Sequence, residues 1–515
     1  MSDFLIAVTQ LLLSLLAGAG LFFLWRRVAG KAGIVFWLVT LGTLGRAVAG
    51  QTLFWISFLG LPIAPSLQAG NGFWFFALDG IFYYDLSTVA ASEGPRAIVT
   101  LDAGLASVFY VKMLATCVYL FGASPAVALL MNLAAYLGTC GVILTMGGAM
   151  AARGRVLGIA ALTFAPSIVI WSLQPLKDSV FLFIVALFIL AADRWQKEIR
   201  EPQSGARGVT TLLWTAAIMT VALYAISSIR WYFSLFIIAA SVPFFVAAIL
   251  RASHRLKTTI AAALFLPWFF AITVVGAGPY LPASIRAMIA PRKNARPAAA
   301  APLSIARDLS KARSGFDRSK ASTLIGVGPA LSPAAKKPAA RAAPAAARTT
   351  APKETVAADV QEIGDVVLPR SHATRLIAGT VALVLPRALA ARLGLIDVRG
   401  GRGLWLVAEI DTLIFDVVLL YAIYCLFGSI RSGGLREPSF WLVFFVTILI
   451  AGSLVYMIAN FGTLFRHRNM VYLGLVLLPL TVAGAATRRR SAALAEVDPI
   501  QETDGAPLAA RTPSM

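Results

Sequence analysis

The sequence predicts an all-α, polytopic membrane protein with about eleven transmembrane helices. Three observations predict it. Of the 515 residues, 59% are hydrophobic and only 13% are charged, where a soluble globular chain carries about 25% charge. Apolar runs of about 20 residues, each long enough to cross roughly 30 Å of hydrocarbon, recur along the chain. The cations behind the net charge of +21 fall in short clusters between those runs rather than along one face. That is a membrane-orientation pattern and argues against nucleic acid as a partner.

The first apolar run, residues 4–24, is followed by Arg26, Arg27 and Lys31 and preceded by no basic residue. It reads as a retained span with its N-terminus outside, not as a cleaved signal peptide. Further spans are expected at 32–59, 125–149, 156–173, 179–193, 209–228, 231–250, 259–277, 405–428, 439–458 and 470–487. Counting alternately through them puts every short-loop cluster on the cytoplasmic side: Arg153 and Arg155; Arg194 to Arg207; Arg251, Arg255 and Lys257; Arg431 and Arg436; Arg488 to Arg490. The alternation requires that the run 104–122, which contains Lys112, does not cross. It is read as an interfacial or re-entrant helix within a first external region, 60–124.

A second external region covers 278–404. Within it, residues 333–352 are only Ala, Pro, Lys, Arg and Thr; such a stretch has nothing to bury and is expected to be disordered. The run 374–394 contains Pro386, Arg387 and Arg392 and reads as interfacial. The organisation is therefore an N-terminal transmembrane module (1–277), the external region (278–404), a C-terminal transmembrane module (405–490) and a disordered cytoplasmic tail (491–515). Three cysteines (Cys117, Cys140, Cys425) and three histidines (His254, His372, His467) are scattered without metal-ligand spacing.

On this topology, polar residues collect at the external helix ends. The segment "FFALDGIFYYDLSTVAASEG" (75–94) supplies Asp79, Tyr83, Tyr84, Asp85 and Glu93. The turn "APSIVIWSLQPLKDS" (165–179) supplies Trp171, Lys177 and Asp178; "ISSIRWYF" supplies Arg230; "ANFGTLFRHRN" supplies Asn460, Arg466, His467 and Arg468. Each has a purely structural reading. Asp178 before Ser179 suits a helix N-cap, the cations can snorkel to headgroups, and Trp171, Trp231 and Tyr232 can anchor at the interface. The functional reading joins them. Cations at helix ends bind the phosphate of a lipid-linked sugar and stabilise it as it leaves. A carboxylate opposite takes the proton of an acceptor hydroxyl.

Three motifs, in order, resemble polytopic bacterial proteins related to the GT-C glycosyltransferases found with polysaccharide biosynthesis. "PSIVIWSLQPLKDS" is similar to their P-S-x-x-x-W-S-x-x-x-x-K-D turn, "LDGIFYY" to the D-x-x-x-Y of their first external loop, and "NFGTLFRHRN" to the N-x-G-T-x-x-R-x-R stretch before their last span. This chain departs at His467, where the family often has an aromatic residue, and in the Ala/Pro/Lys-rich insertion. The resemblance implies a GT-C-like fold in a bacterial inner membrane and a sugar transferred from a polyprenyl-phosphate donor to a lipid-linked or cell-surface glycan acceptor. It implies Asp79 as the catalytic acid, with Asp85 the second candidate. Substrate-binding residues would be Tyr83, Lys177, Asp178, Arg230, Arg466 and Arg468. It implies no fixed cofactor and leaves a divalent cation open; the other partners are membrane lipids. Two alternatives stand beside it: a polymerase or ligase of polyprenyl-diphosphate-linked glycans, and a glycolipid transporter or flippase. A transporter is expected to bury charges at mid-span, where this chain has few: Arg46, Glu409, Asp411 and Asp416.

Overall fold

The computed structural model describes residues 2–30, 33–101, 107–147, 151–200, 206–252, 254–278, 366–367, 379–381, 383–393, 396–397, 402–432, 434–457 and 465–482. The segment 333–352, Asn460, Arg488 to Arg490 and the tail 491–515 lie outside the described residues.

The protein is built from helices, as its apolar runs predict. Among the described residues, eight helices are long and apolar enough to cross a membrane. They are α1 (Ser2–Ala29) and α2 (Ile34–Phe58), then α6 (Val127–Thr145), α10 (Ala206–Ile229), α11 (Trp231–Arg251) and α12 (Arg255–Ala277), and finally α14 (Arg402–Ser432) and α15 (Pro438–Met457). Between α2 and α6 lie a hairpin of β1 (Gln68–Gly70) with β2 (Phe73–Trp74), then α3 (Leu78–Ser92), α4 (Pro95–Thr100) and α5 (Val108–Phe121). Asn71 and Gly72 both have positive φ at the hairpin turn, the conformation a tight two-residue hairpin needs. Helix α5 has 14 residues, about 21 Å of length, short of the hydrocarbon thickness.

The run expected to be one span at 156–173 is not straight. Helix α7 (Ala152–Phe164) ends before Pro166, and α8 (Pro166–Val169) continues into a 3-10 turn, Ile170–Ser172, at a bend of 63°. Pro166 has no N–H to reach the carbonyl of residue 162, so the helical ladder breaks there. Hydropathy records the apolar run but not the missing donor.

Helix α9 (Asp178–Arg200) is largely enclosed. It packs on α6, α10 and α15, and it carries Asp193, Arg194, Lys197, Glu198 and Arg200 in its last two turns. Those charges set it apart from the lipid-facing spans. Helix α1, by contrast, exposes Phe4, Leu5, Leu11, Leu12, Leu15 and Leu16, a face suited to acyl chains. The remaining elements are a β3 (Val366–Val367) and β4 (Ile396–Asp397) pair, the short α13 (Arg387–Arg392) whose Ala388 N–H donates to Glu409 of α14, and a last helix, α16, over 465–482.

Candidate active site

The site forms around the turn between α8 and α9. Its backbone is held from below. Arg46, buried within α2, donates Nη2 to Leu162 O, the carbonyl that Pro166 leaves without a helical partner. It also donates Nη1 to Gly42 O (3.1 Å) and Nε to Ser172 Oγ (3.1 Å), and its guanidinium lies 4.0 Å from the Tyr136 ring centroid. Asn132 of α6 donates Nδ2 to both Ser172 O and Gln174 O at 2.9 Å. On the other side, α3 abuts the turn at Gly80, where a Cβ would sit 3.3 Å from Pro175 O. A small residue there is what brings Asp79 to the turn.

Asp178 is the first helical residue of α9, and its carboxylate binds arginines. Oδ1 accepts from Arg230 Nη2 at 2.6 Å, and Oδ2 accepts from Arg466 Nη2 at 2.9 Å and Nε at 3.2 Å. The side chains of Asp178 and Arg230 are each 2% exposed. Burial alone would raise the Asp178 carboxyl, but Arg466 and Arg230 outweigh it and hold the group well below the usual carboxylate range. The third donor of Arg466, Nη1, reaches Asp79 Oδ2 at 2.9 Å. Asp79 is the open end of this chain of charges, with a side chain 41% exposed. The Arg466 guanidinium lies 5.4 Å from the Trp171 ring centroid, which fixes its plane.

Arg230 Nη1 meets His467 Nδ1 at 2.6 Å. Because a guanidinium can only donate, Nδ1 accepts and the imidazole is neutral with its proton on Nε2. Burial, with Arg230 beside it, pushes the His467 pKa down to about 3. Lys177 Nζ lies 2.5 Å from Ser107 Oγ and 5.4 Å from the Tyr83 ring centroid. Burial, then the charge of Arg230, lowers its pKa to about 7. Tyr83 in turn packs edge-on against Tyr110 at 5.4 Å, and burial followed by the charge of Asp79 raises its hydroxyl.

Six of the residues singled out from sequence therefore meet: Asp79, Tyr83, Lys177, Asp178, Arg230 and Arg466. Two do not join them. Asp85 follows Asp79 by six residues, about 120° around α3, whereas Tyr83 at i+4 shares the Asp79 face. Asp85 has no hydrogen-bond or ion-pair partner among the described residues, and burial raises its pKa to about 6. Arg468, two residues after Arg466, turns to the far side of α16. It is fully buried there, donating Nη1 to Thr412 Oγ1 (2.8 Å) and pairing with Asp411 (3.4 Å), whose Oδ1 accepts from Ser167 N at 2.9 Å. It clasps α14 to the turn. Ser107, Asn132 and Arg46 shape the site without having been candidates, since a single polar residue in an apolar run carries no spacing signal.

No group of three or more His, Cys, Asp or Glu gathers among the described residues, and the space between Asp79 and Asp178 is taken by the Arg466 guanidinium. Comparison of the chain with family models, with curated proteins and with solved structures returns no match.

Proposed function

We propose that this protein is a membrane glycosyltransferase that moves a sugar from a polyprenyl-phosphate donor to a lipid-linked or cell-surface glycan acceptor. The observation that carries this reading is the chain Asp178–Arg466–Asp79, a buried carboxylate holding an arginine whose free edge meets a half-exposed carboxylate. Sugar transfer from a phosphate needs a cation for the departing oxygen and a base for the attacking hydroxyl within one cleft. Arg466, fixed by Asp178 and Trp171, is the cation. Asp79 is the base, and Lys177 adds a second positive charge beside Tyr83.

The acceptor hydroxyl oxygen attacks the anomeric carbon as the bond from that carbon to the phosphate oxygen breaks. The electron pair leaves with the phosphate, which Arg466 and Lys177 receive, and the hydroxyl proton passes to Asp79. Arg230 and His467 act one layer behind, keeping Asp178 ionised and in place. Within the first external region, Gly80 and the Asn71–Gly72 hairpin set the Asp79 end of the cleft against the turn.

The transporter alternative draws less support, because its expected signature is a mid-span charge free to exchange partners. Arg46, Glu409 and the Asp411–Arg468 pair are instead tied to backbone carbonyls, backbone N–H groups and hydroxyls. Asp416, whose Oδ1 is buried without a hydrogen-bond partner among the described residues, is the exception. The enzyme readings separate on the leaving group. The purified full chain, given polyprenyl-phosphate hexoses and an acceptor glycan, is expected to release polyprenyl monophosphate one-for-one with glycosidic bonds formed. Release of diphosphate from diphosphate-linked glycans, with none from the monophosphate donors, would favour the polymerase or ligase.

A further inference from the structure

Helix α9 has a second polar end. Its 23 residues span about 34 Å, so Arg200 lies one hydrocarbon thickness away from Asp178. At that end a small cleft opens between α9, the C-terminus of α11 and the start of α15. Lys197, Arg200, Arg251 and Glu437 line it, with Trp195 and Ala248 as its apolar wall.

The polar arrangement is unequal. Arg200 Nη1 (3.3 Å) and Arg251 Nη1 (3.0 Å) converge on the same oxygen, Oε1, of Glu437. Glu437 is 3% exposed, while both arginine side chains remain 28% exposed toward the opening. Asp193, buried beneath, takes Lys197 and accepts from Ser439 Oγ at 3.1 Å. Two guanidiniums thus share one oxygen of Glu437, and the lining side chains, Lys197, Arg200 and Arg251 against Glu437, carry more positive than negative charge. Each guanidinium carries five N–H donors in a planar fork suited to phosphate. Trp195 is held in its wall by Phe265 and Phe245, edge-on at 5.3 Å and 5.7 Å, so the apolar side is rigid.

We infer that this cleft binds the phosphate headgroup of an anionic phospholipid in the leaflet opposite the candidate active site. Its chemistry is that of any phosphate anion. The lipid source follows from the place: the cleft lies where α11 ends and α15 begins, two of the eight helices long and apolar enough to cross a membrane, so its cations fall at the level of the headgroups. The bound lipid would tie α9, α11 and α15 together at the end of the helix that carries Asp178 at its other end. It does not depend on the sugar-transfer reading.

The test uses the purified full chain, with native mass spectrometry after addition of phosphatidylglycerol or phosphatidylcholine, and thermal unfolding in nanodiscs of each. Preferential retention of phosphatidylglycerol is expected, together with a higher Tm in its nanodiscs. The variant Arg200→Gln/Arg251→Gln/Glu437→Gln removes one net positive charge without stranding a buried ion, and should cut that preference about five-fold. Arg255→Gln, exposed at the same end, should leave it unchanged. Equal retention of the two lipids by the native chain overturns the inference. So does a Tm rise with millimolar inorganic phosphate that matches the lipid effect, because the occupant would then be a soluble anion. An undiminished preference in the triple variant would place lipid binding elsewhere.

Discussion

Asp178 and Arg466 are joined by two hydrogen bonds from the guanidinium to one carboxylate oxygen, at 2.9 Å and 3.2 Å, although 288 residues separate them in the chain. That pair aims the remaining Arg466 nitrogen at Asp79. Removing Asp178 should therefore disturb both the fold and the site. Asp178→Asn leaves Arg230 buried beside a neutral amide and is expected to cost about 3–5 kcal/mol of stability. The double variant Asp178→Asn/Arg230→Gln should recover part of that loss. Thermal unfolding in detergent of the two variants beside the native chain measures both effects, and a double variant no more stable than the single would count against the pairing.

Lys177 gives the site a pH signature. Its folded pKa of about 7 lies below the usual value because of burial and Arg230. Between about pH 7 and the ordinary lysine pKa of about 10.4 the unfolded chain holds the proton and the folded chain does not, so this group's contribution to stability rises with pH across that window. Donor binding should move the other way and weaken as pH climbs through about 7, because the ammonium is lost. Lys177→Arg keeps its charge and should flatten that decline. Donor titrations at pH 6 and pH 8.5 for both proteins check the sign.

Asp85 offers a contrast with Asp79. Burial raises its pKa to about 6 with no cation to offset it. An acid raised in this way loses stability as pH rises through the interval from about 4 to 6. Asp85→Asn is expected to raise Tm at pH 7.5 and to remove that pH dependence, while turnover stays near the native level. Loss of turnover in Asp85→Asn with normal folding would move the catalytic role to it.

Asn132 supports the turn from α6. Asn132→Leu keeps the shape but leaves Ser172 O without its donor, while Gln174 O keeps the N–H of Leu176; the cost is about 1–3 kcal/mol for the one buried unpaired carbonyl. The turn that carries Lys177 and Asp178 should loosen, so kcat/KM falls more than the residual fold content measured by circular dichroism. Equal losses in both would mean that Asn132 serves stability alone.

The orientation can be checked independently. In a background lacking Cys117, Cys140 and Cys425, Glu93→Cys should react with an impermeant thiol reagent in intact cells, and Arg255→Cys only after lysis. Both positions are exposed, so the reverse pattern would invert the topology.

The sequence made some of this legible and hid the rest for physical reasons. Apolar runs locate α1, α2, α6, α10, α11, α12, α14 and α15 because length and hydropathy are what a bilayer selects. The break at Pro166 escapes hydropathy, since the residues on both sides are equally apolar. Asp79, Lys177, Asp178, Arg230 and Arg466 are visible as charges at helix ends on one side, and they do converge. Arg468 looks equivalent to Arg466 in sequence, but two residues along a helix turn the side chain about 200°, into the pair with Asp411. Ser107 and Asn132 stay hidden, and Arg46 shows only as a mid-span charge, because their importance lies in which carbonyl or amine they meet, which is a property of the packed helices.

The central claim is that Asp79 takes the acceptor proton opposite Arg466. Turnover of a polyprenyl-phosphate hexose by purified Asp79→Asn protein tests it most directly. The substitution keeps size and hydrogen-bonding reach, and leaves Arg466 on Asp178. Turnover is expected to fall by roughly two to four orders of magnitude, with donor affinity little changed. An Asp79→Asn protein that forms glycan product at the native rate would contradict the account.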